Sequence, residues 1–227
     1  MGKLARTVLT AMLLLASVAA PASGAPTATP FLKVEDFSGD LQIIGSALAW
    51  NDVRCLSGCV RFPAKETHRA RYLLKRPGHK IAELARTTLT TIPGGSNSVL
   101  EDADFAASST RTLMVVESER NLGDQLFTSA TVFAGPLGSP PAELFKCRVF
   151  RVPFSLDADV LAFDETACVT GSTDVVVRSL ADGSVRRVPS VGRQIDALAL
   201  AGDWLAVLSY EKLAEGAPGL ASGELAI

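Results

Sequence analysis

Apolar and polar residues alternate into a tight turn and out again at three places: QIIGSALAW (Gln42 to Trp50), SLDADVLAF (Ser155 to Phe163) and ALAGDWLAV (Ala199 to Val207). A period of two puts alternate side chains on one strand face, so each segment predicts an antiparallel hairpin. With Leu48, Leu161 and Leu205 taken as equivalent, the positions seven and five residues earlier are Leu41 and Ile43, Phe154 and Leu156, and Leu198 and Leu200. All six are bulky and apolar. The turns hold Gly45-Ser46, Asp157-Ala158-Asp159 and Gly202-Asp203, residue types that suit tight reversals. A fainter copy centres on Leu113 in RTLMVVE, where the upstream positions are the small Ala106 and Ser108.

The four anchors are separated by 65, 48 and 44 residues, and the last two intervals match the ~40–50 residues of a four-stranded propeller blade. The first interval predicts an insertion, either around Thr90 to Ser98 or in the loop CLSGCVRFPAKETH. Between anchors a second hairpin is legible: Val175 to Leu180, a turn at Ala181-Asp182-Gly183, then Ser184 to Val188. ARYLLKRPGHKIAEL, whose Pro77-Gly78 favours a type II turn, and ATVFAGPLGSPPAELFKC are its counterparts. The expected fold is all-β, a β-propeller of four-stranded antiparallel blades, with three complete blades and part of a fourth.

The stretch SLDADVLAFDETACVTGSTDVVVRSLADGSVRRV resembles the WD40-like propeller repeats of the TolB type, with their Ser-Pro-Asp-Gly turn, Leu-Ala-Phe strand and later Gly turn. Leu156 stands where that pattern has Pro, and Ala158 where it has Gly. The resemblance implies a propeller in the bacterial periplasm or outside the cell that acts through protein contacts, and it carries over no catalytic residue. Because YEKLAEGAPGLASGELAI breaks off where a third strand of the fourth blade would begin, residues 25–227 are expected to be a propeller truncated at its C-terminus. The competing arrangement is a four-bladed ring in which Pro30 to Phe37 returns as the missing outer strand.

The first segment changes the picture of location. Lys3 and Arg6 precede an apolar run from Val8 to Ala20 and then PASGAP, the layout of a secretory signal peptide over residues 1–24, cut between Gly24 and Ala25. The run is shorter than the ~20 apolar residues that span a bilayer, and no later stretch is longer. Losing Lys3 and Arg6 from the 22 basic residues leaves 20 against 24 acidic ones, a formal charge of −4. An acidic chain lacks the basic surface that nucleic acid or anionic membrane requires.

Export makes the four cysteines candidates for disulfides. Cys55 and Cys59 are close enough in CLSGC to bridge, and Cys147 and Cys168 fall on one rim of a propeller, at the end of one blade and after the second strand of the next. A zinc site would draw on Cys55, Cys59 and His68 but lacks a fourth ligand of clear spacing. His68 and His79 are the only histidines, and no nucleophile elbow, His-Glu-x-x-His pair or phosphate-binding Gly loop accompanies them. No catalytic, cofactor or metal residue is assigned. Arg69, Arg71, Lys75, Arg76 and Lys80 around Tyr72 read as the charged face of an outer strand or as a docking patch for a protein. Asp157 and Asp159 read as turn residues bonding locally, and DETACVTGSTD has no fixed calcium spacing.

The expected function is therefore that of an exported, non-enzymatic binding or scaffolding protein, secreted or periplasmic, acting through rim loops on a protein or cell-envelope component. Two alternatives stay open: the N-terminal part of a propeller enzyme (a lyase, hydrolase or quinoprotein) with its site beyond residue 227, and a small four-bladed ligand-binding ring.

Overall fold

The computed structural model describes residues 41–59, 65–94, 97–148, 152–165, 168, 174–189 and 194–210. The expectations for the leader, for Pro30 to Phe37 and for the chain beyond Tyr210 fall outside these residues. Fourteen strands and no helix make up the described part. The first meander is β1 (Leu41–Ile44), β2 (Ala47–Ser57), β3 (Glu66–Lys75) and β4 (Ala82–Ile92). The second is β5 (Val99–Ala107), β6 (Arg111–Leu122), β7 (Gln125–Pro136) and β8 (Ala142–Cys147). The third is β9 (Phe154–Asp157), β10 (Val160–Asp164), β11 (Asp174–Ser179) and β12 (Val185–Pro189), and β13 (Gln194–Ala201) and β14 (Trp204–Tyr210) follow.

Every strand pairing is antiparallel between chain neighbours. The first two meanders form one eight-stranded sheet, yet β4 and β5 share only the pairs Thr91–Leu100 and Ile92–Val99. Beyond that join the two meanders turn apart and face each other. Ala49, Tyr72 and Leu74 of the first pack with Phe105, Ala107 and Met114 of the second, and the Tyr72 and Phe105 rings stack at 5.4 Å. Leu113, Val115 and Val132 on the other face of the second meander pack with Leu161, Phe163 and Val176 of the third. Val175 of the third meets Ile195 and Val207 of the last hairpin. Each meander is buried on both faces only where it has a neighbour on both sides, which is why alanine and β-branched residues crowd the middle strands.

The three strong hairpins form as the alternation predicts, with two-residue turns at Gly45-Ser46, Ala158-Asp159 and Gly202-Asp203. The first turn residue has positive φ in each case: 59° at Gly45, 45° at Ala158 and 56° at Gly202. Glycine is the residue that enters this region without a Cβ clash, so Ala158 holds a glycine conformation. The expected type II turn also forms, with Gly78 at φ 71° and the His79 amide donating to the Arg76 carbonyl at 3.2 Å.

The faint copy forms a hairpin too, but its anchor is displaced by one residue. The Ser108 amide donates to Arg111, leaving Ser109-Thr110 as the turn. Three residues past the turn start, where the other copies have Leu48, Leu161 and Leu205, stands Thr112, and its upstream partners are Phe105 and Ala107. Thr112 is wholly buried with Ala107 on the face toward the first meander, whereas Leu113 points to the third. A slip of one residue reverses every side chain of a strand. Read in this register, the fourth copy is as apolar as the others apart from one hydroxyl.

Two further expectations change. The extra length of the first repeat is not mainly a loop insertion: β2, β3 and β4 have 11, 10 and 11 residues, against 5, 6 and 5 in β10, β11 and β12. The bulky pair of the first hairpin is also not core, since Leu41 and Ile43 are 52% and 69% exposed. They face away from the second meander, toward which Gln42 and Ile44 point. In the last hairpin Leu198, Leu205 and Val207 pack back onto the third meander, and it is Trp204 and Leu208 on the far face that are exposed.

Candidate functional site

An antiparallel meander sorts its connections to two ends. The turns at Gly45-Ser46, Ser109-Thr110, Ala158-Asp159 and Gly202-Asp203 lie at one end, together with the turns at Pro77-Gly78 and Asp182-Gly183. The facing ends of β2 and β3, β4 and β5, β6 and β7, β8 and β9, and β10 and β11 lie at the other. We call these the turn end and the loop end.

The turn end is held together by side chains that cross from one meander to the next. Gln42 of β1 donates from Nε2 to the Ala107 carbonyl at 2.7 Å, and its Oε1 accepts from the Ala107 amide at 3.0 Å and from the Tyr72 hydroxyl at 2.7 Å. Ser108 donates to the Ala158 carbonyl at 2.7 Å. Asp159 accepts from Arg111 and, at 3.3 Å, from Thr110. Leu200 donates its amide to Ser155 Oγ at 2.9 Å, and Gly202 to Asp157 at 2.6 Å. The carboxylates of Asp157 and Asp159 therefore reach across meanders, correcting the expectation that they bond within their own turn. Glu101 is likewise committed, to the Thr90 amide at 2.8 Å and Arg120 at 3.5 Å, and Glu165 to Arg187 at 2.9 Å.

The basic segment separates into unlike parts because strand alternation sends neighbours to opposite faces. Arg71 pairs with the buried Asp52. Tyr72 turns into the core, and Lys75 donates to the His79 carbonyl. Burial alone would raise the Asp52 carboxyl, but hydrogen bonds from Arg71 and Arg54 outweigh it and hold the group below the usual carboxylate range. Asp182, fully exposed in its turn, is held down to about 2 by hydrogen bonds from Ser179 and Ser184. His79 is exposed, its Nδ1 2.8 Å from the Pro77 carbonyl.

The loop end carries the sulfur chemistry. Cys147 and Cys168 are at bonding distance with Cα atoms 3.8 Å apart, joining the end of β8 to a residue shortly after β10. Cys55 and Cys59, with Cα atoms 6.2 Å apart, also bring their sulfurs together as a pair. Cys55 sits directly opposite His68 across the β2–β3 ladder. Gly58 then turns the chain with φ 85°, so close to the next strand that a Cβ there would lie 2.1 Å from the Lys65 carbonyl oxygen. That turn brings Cys59 back toward Cys55, and both sulfurs approach the Ser57 carbonyl, at 3.5 and 3.4 Å. Ligand atoms of Cys55, Cys59 and His68 all lie within 4.8 Å of one another. Glu66, which the sequence reading did not single out, places Oε2 3.1 Å from His68 Nε2. Two residues apart on one strand, Glu66 and His68 share a face, and that spacing was the available signal.

Exposed apolar side chains occur at both ends: Ile43, Ile81 and Trp204 lie beside turns of the turn end, and at the loop end the tip of the β6–β7 hairpin groups Leu122, Leu126 and Phe127 at 53%, 62% and 48% exposure, with Leu56 and Leu100 also near strand ends. No helix among the described residues is long and apolar enough to cross a membrane. No family model, curated protein or solved structure matches the chain.

Proposed function

We propose that the chain is an exported repeat protein of the TolB-type, WD40-like propeller kind, each four-stranded meander serving as a blade, and that it binds a protein or cell-envelope component through its loop end. The observation that carries the binding role is the apolar tip Leu122, Leu126 and Phe127. Long hairpin strands of 12 residues each extend past β5 and expose large hydrocarbon side chains, a feature typical of surfaces awaiting a partner. The blade reading rests on recurrence. The first strands β1, β5, β9 and β13 are tied in sequence by Gln42, by the Ser108, Thr110 and Arg111 bonds to the next turn, and by Ser155 and Asp157. Two-residue turns recur at one end, at Gly45-Ser46, Ser109-Thr110, Ala158-Asp159 and Gly202-Asp203, while the β6–β7 hairpin carries its apolar tip to the other. A scaffold role is favoured over catalysis because Asp157 and Asp159 tie neighbouring meanders together, Glu101 accepts the Thr90 amide, and Glu165 pairs with Arg187 within the third meander.

The test is binding of cell-envelope extract to immobilised residues 25–227, with partners identified by mass spectrometry and then titrated in pure form. Leu126→Ser with Phe127→Ser is expected to weaken the purified partner at least tenfold, and Ile81→Ser at the turn end to leave it unchanged. Equal loss from both variants, or turnover on a panel of ester, peptide, phosphate and glycoside substrates that disappears with His79→Ala, would overturn the reading.

A further inference from the structure

The geometry points to a zinc site at the loop end of the first meander, formed by the reduced thiols of Cys55 and Cys59 with His68, and closed off when the two cysteines join as a disulfide. This inference is independent of the partner proposed above.

Zn–S bonds are about 2.3 Å and Zn–N bonds about 2.0–2.1 Å, so two atoms on one ion lie no more than ~4.6 Å apart. Three ligand atoms already within 4.8 Å of one another need only side-chain adjustments to meet that limit. The backbone prearranges them. Cys55 and His68 are fixed opposite each other by the β2–β3 ladder, and the Gly58 turn, which admits no Cβ, supplies Cys59. Both cysteines are exposed and His68 is half-buried, so an ion has an open path of entry. Glu66, with Oε2 3.1 Å from His68 Nε2, is a carboxylate partner of the kind that orients a ligating imidazole. Water would complete the fourth position.

Binding releases one proton from each thiol as two S–Zn bonds form. A disulfide oxidant takes two electrons and two protons from the same pair: the Cys55–Cys59 bond forms, the oxidant leaves as two thiols, and the ligands are lost. The site is thus available in one oxidation state only.

The experiment uses residues 25–227, reduced with a phosphine, desalted without oxygen and titrated with Zn²⁺ against a chromophoric chelator. One equivalent is expected to bind. Treatment with oxidised glutathione, or Cys55→Ser with Cys59→Ser, should abolish it. Glu66→Gln should weaken it about 10–100-fold, the range seen when such a partner is removed. The double serine variant retains Cys147 and Cys168 and so measures any zinc held by that pair. As a readout that needs no variant, Zn²⁺ should slow alkylation of Cys55 and Cys59 in the reduced chain at least tenfold. Unchanged alkylation rates, or equal zinc binding by the oxidised and reduced chains, would overturn the site.

Discussion

Gln42→Ala should loosen the first meander from the second. The Gln42 side chain stands in for a neighbouring strand: β5 pairs with β4 at only two positions, and the Ala107 amide and carbonyl on its free edge are satisfied by one side-chain amide. Truncation removes three hydrogen bonds, each worth about 0.5–1.5 kcal/mol net, and leaves the deeply buried Ala107 groups to find water. Because Gln42 itself is half-buried, water can partly replace it, and the expected loss is about 2–3 kcal/mol. Urea unfolding measures the loss as a lower midpoint at constant slope. In a cycle with Tyr72→Phe, the coupling should be about 1 kcal/mol, since the 2.7 Å hydroxyl bond is shared between the two residues. A loss below ~0.5 kcal/mol, within the range of ordinary surface substitutions, would refute the reasoning that Gln42 pins β5.

Three further outcomes are expected. Ala158→Gly should stabilise the chain by about 0.5–1 kcal/mol, because relief of the ~1–2 kcal/mol left-handed penalty exceeds the entropy that glycine adds to the unfolded chain; differential scanning calorimetry should show a higher Tm. The depressed Asp52 carboxyl binds its proton more readily in the unfolded chain, so its stabilisation is present above the unfolded value near 3.8 and fades as pH falls through the lower folded value; Asp52→Asn should flatten the acid limb of a stability–pH curve below about pH 4. Replacing Cys147 and Cys168 by Ser, a pair 21 residues apart, should cost about 3 kcal/mol in thermal or urea unfolding, while non-reducing peptide mapping of the exported chain should recover the two joined.

The hairpins were legible because period-two alternation and turn residues are local properties, as at Gln42 to Trp50 and Ser155 to Phe163. What escaped depends on neighbours. Hydrophobicity points to Leu113 over the adjacent Thr112, although the turn at Ser109-Thr110 decides which face each one takes. Leu41 and Ile43 read as core from their size, but exposure depends on what lies against the face. Gln42 and Glu66 are short-lived signals in a sequence, polar residues in strands, and gain meaning only when Ala107 and His68 come within reach. Cys55, Cys59 and His68 were legible as a group; Gly58 as the device that brings them together was not.

Hydrogen exchange of residues 25–227, resolved by peptide, tests most directly that successive meanders stack through their first strands. The slowest exchange is expected in β5 and β9, each with a meander on both sides, with β1 and β13 faster and Gln42→Ala accelerating β5 well before β10 and β11. Exchange in β5 or β9 as fast as in the outer strands β8 and β12 would contradict that stacking.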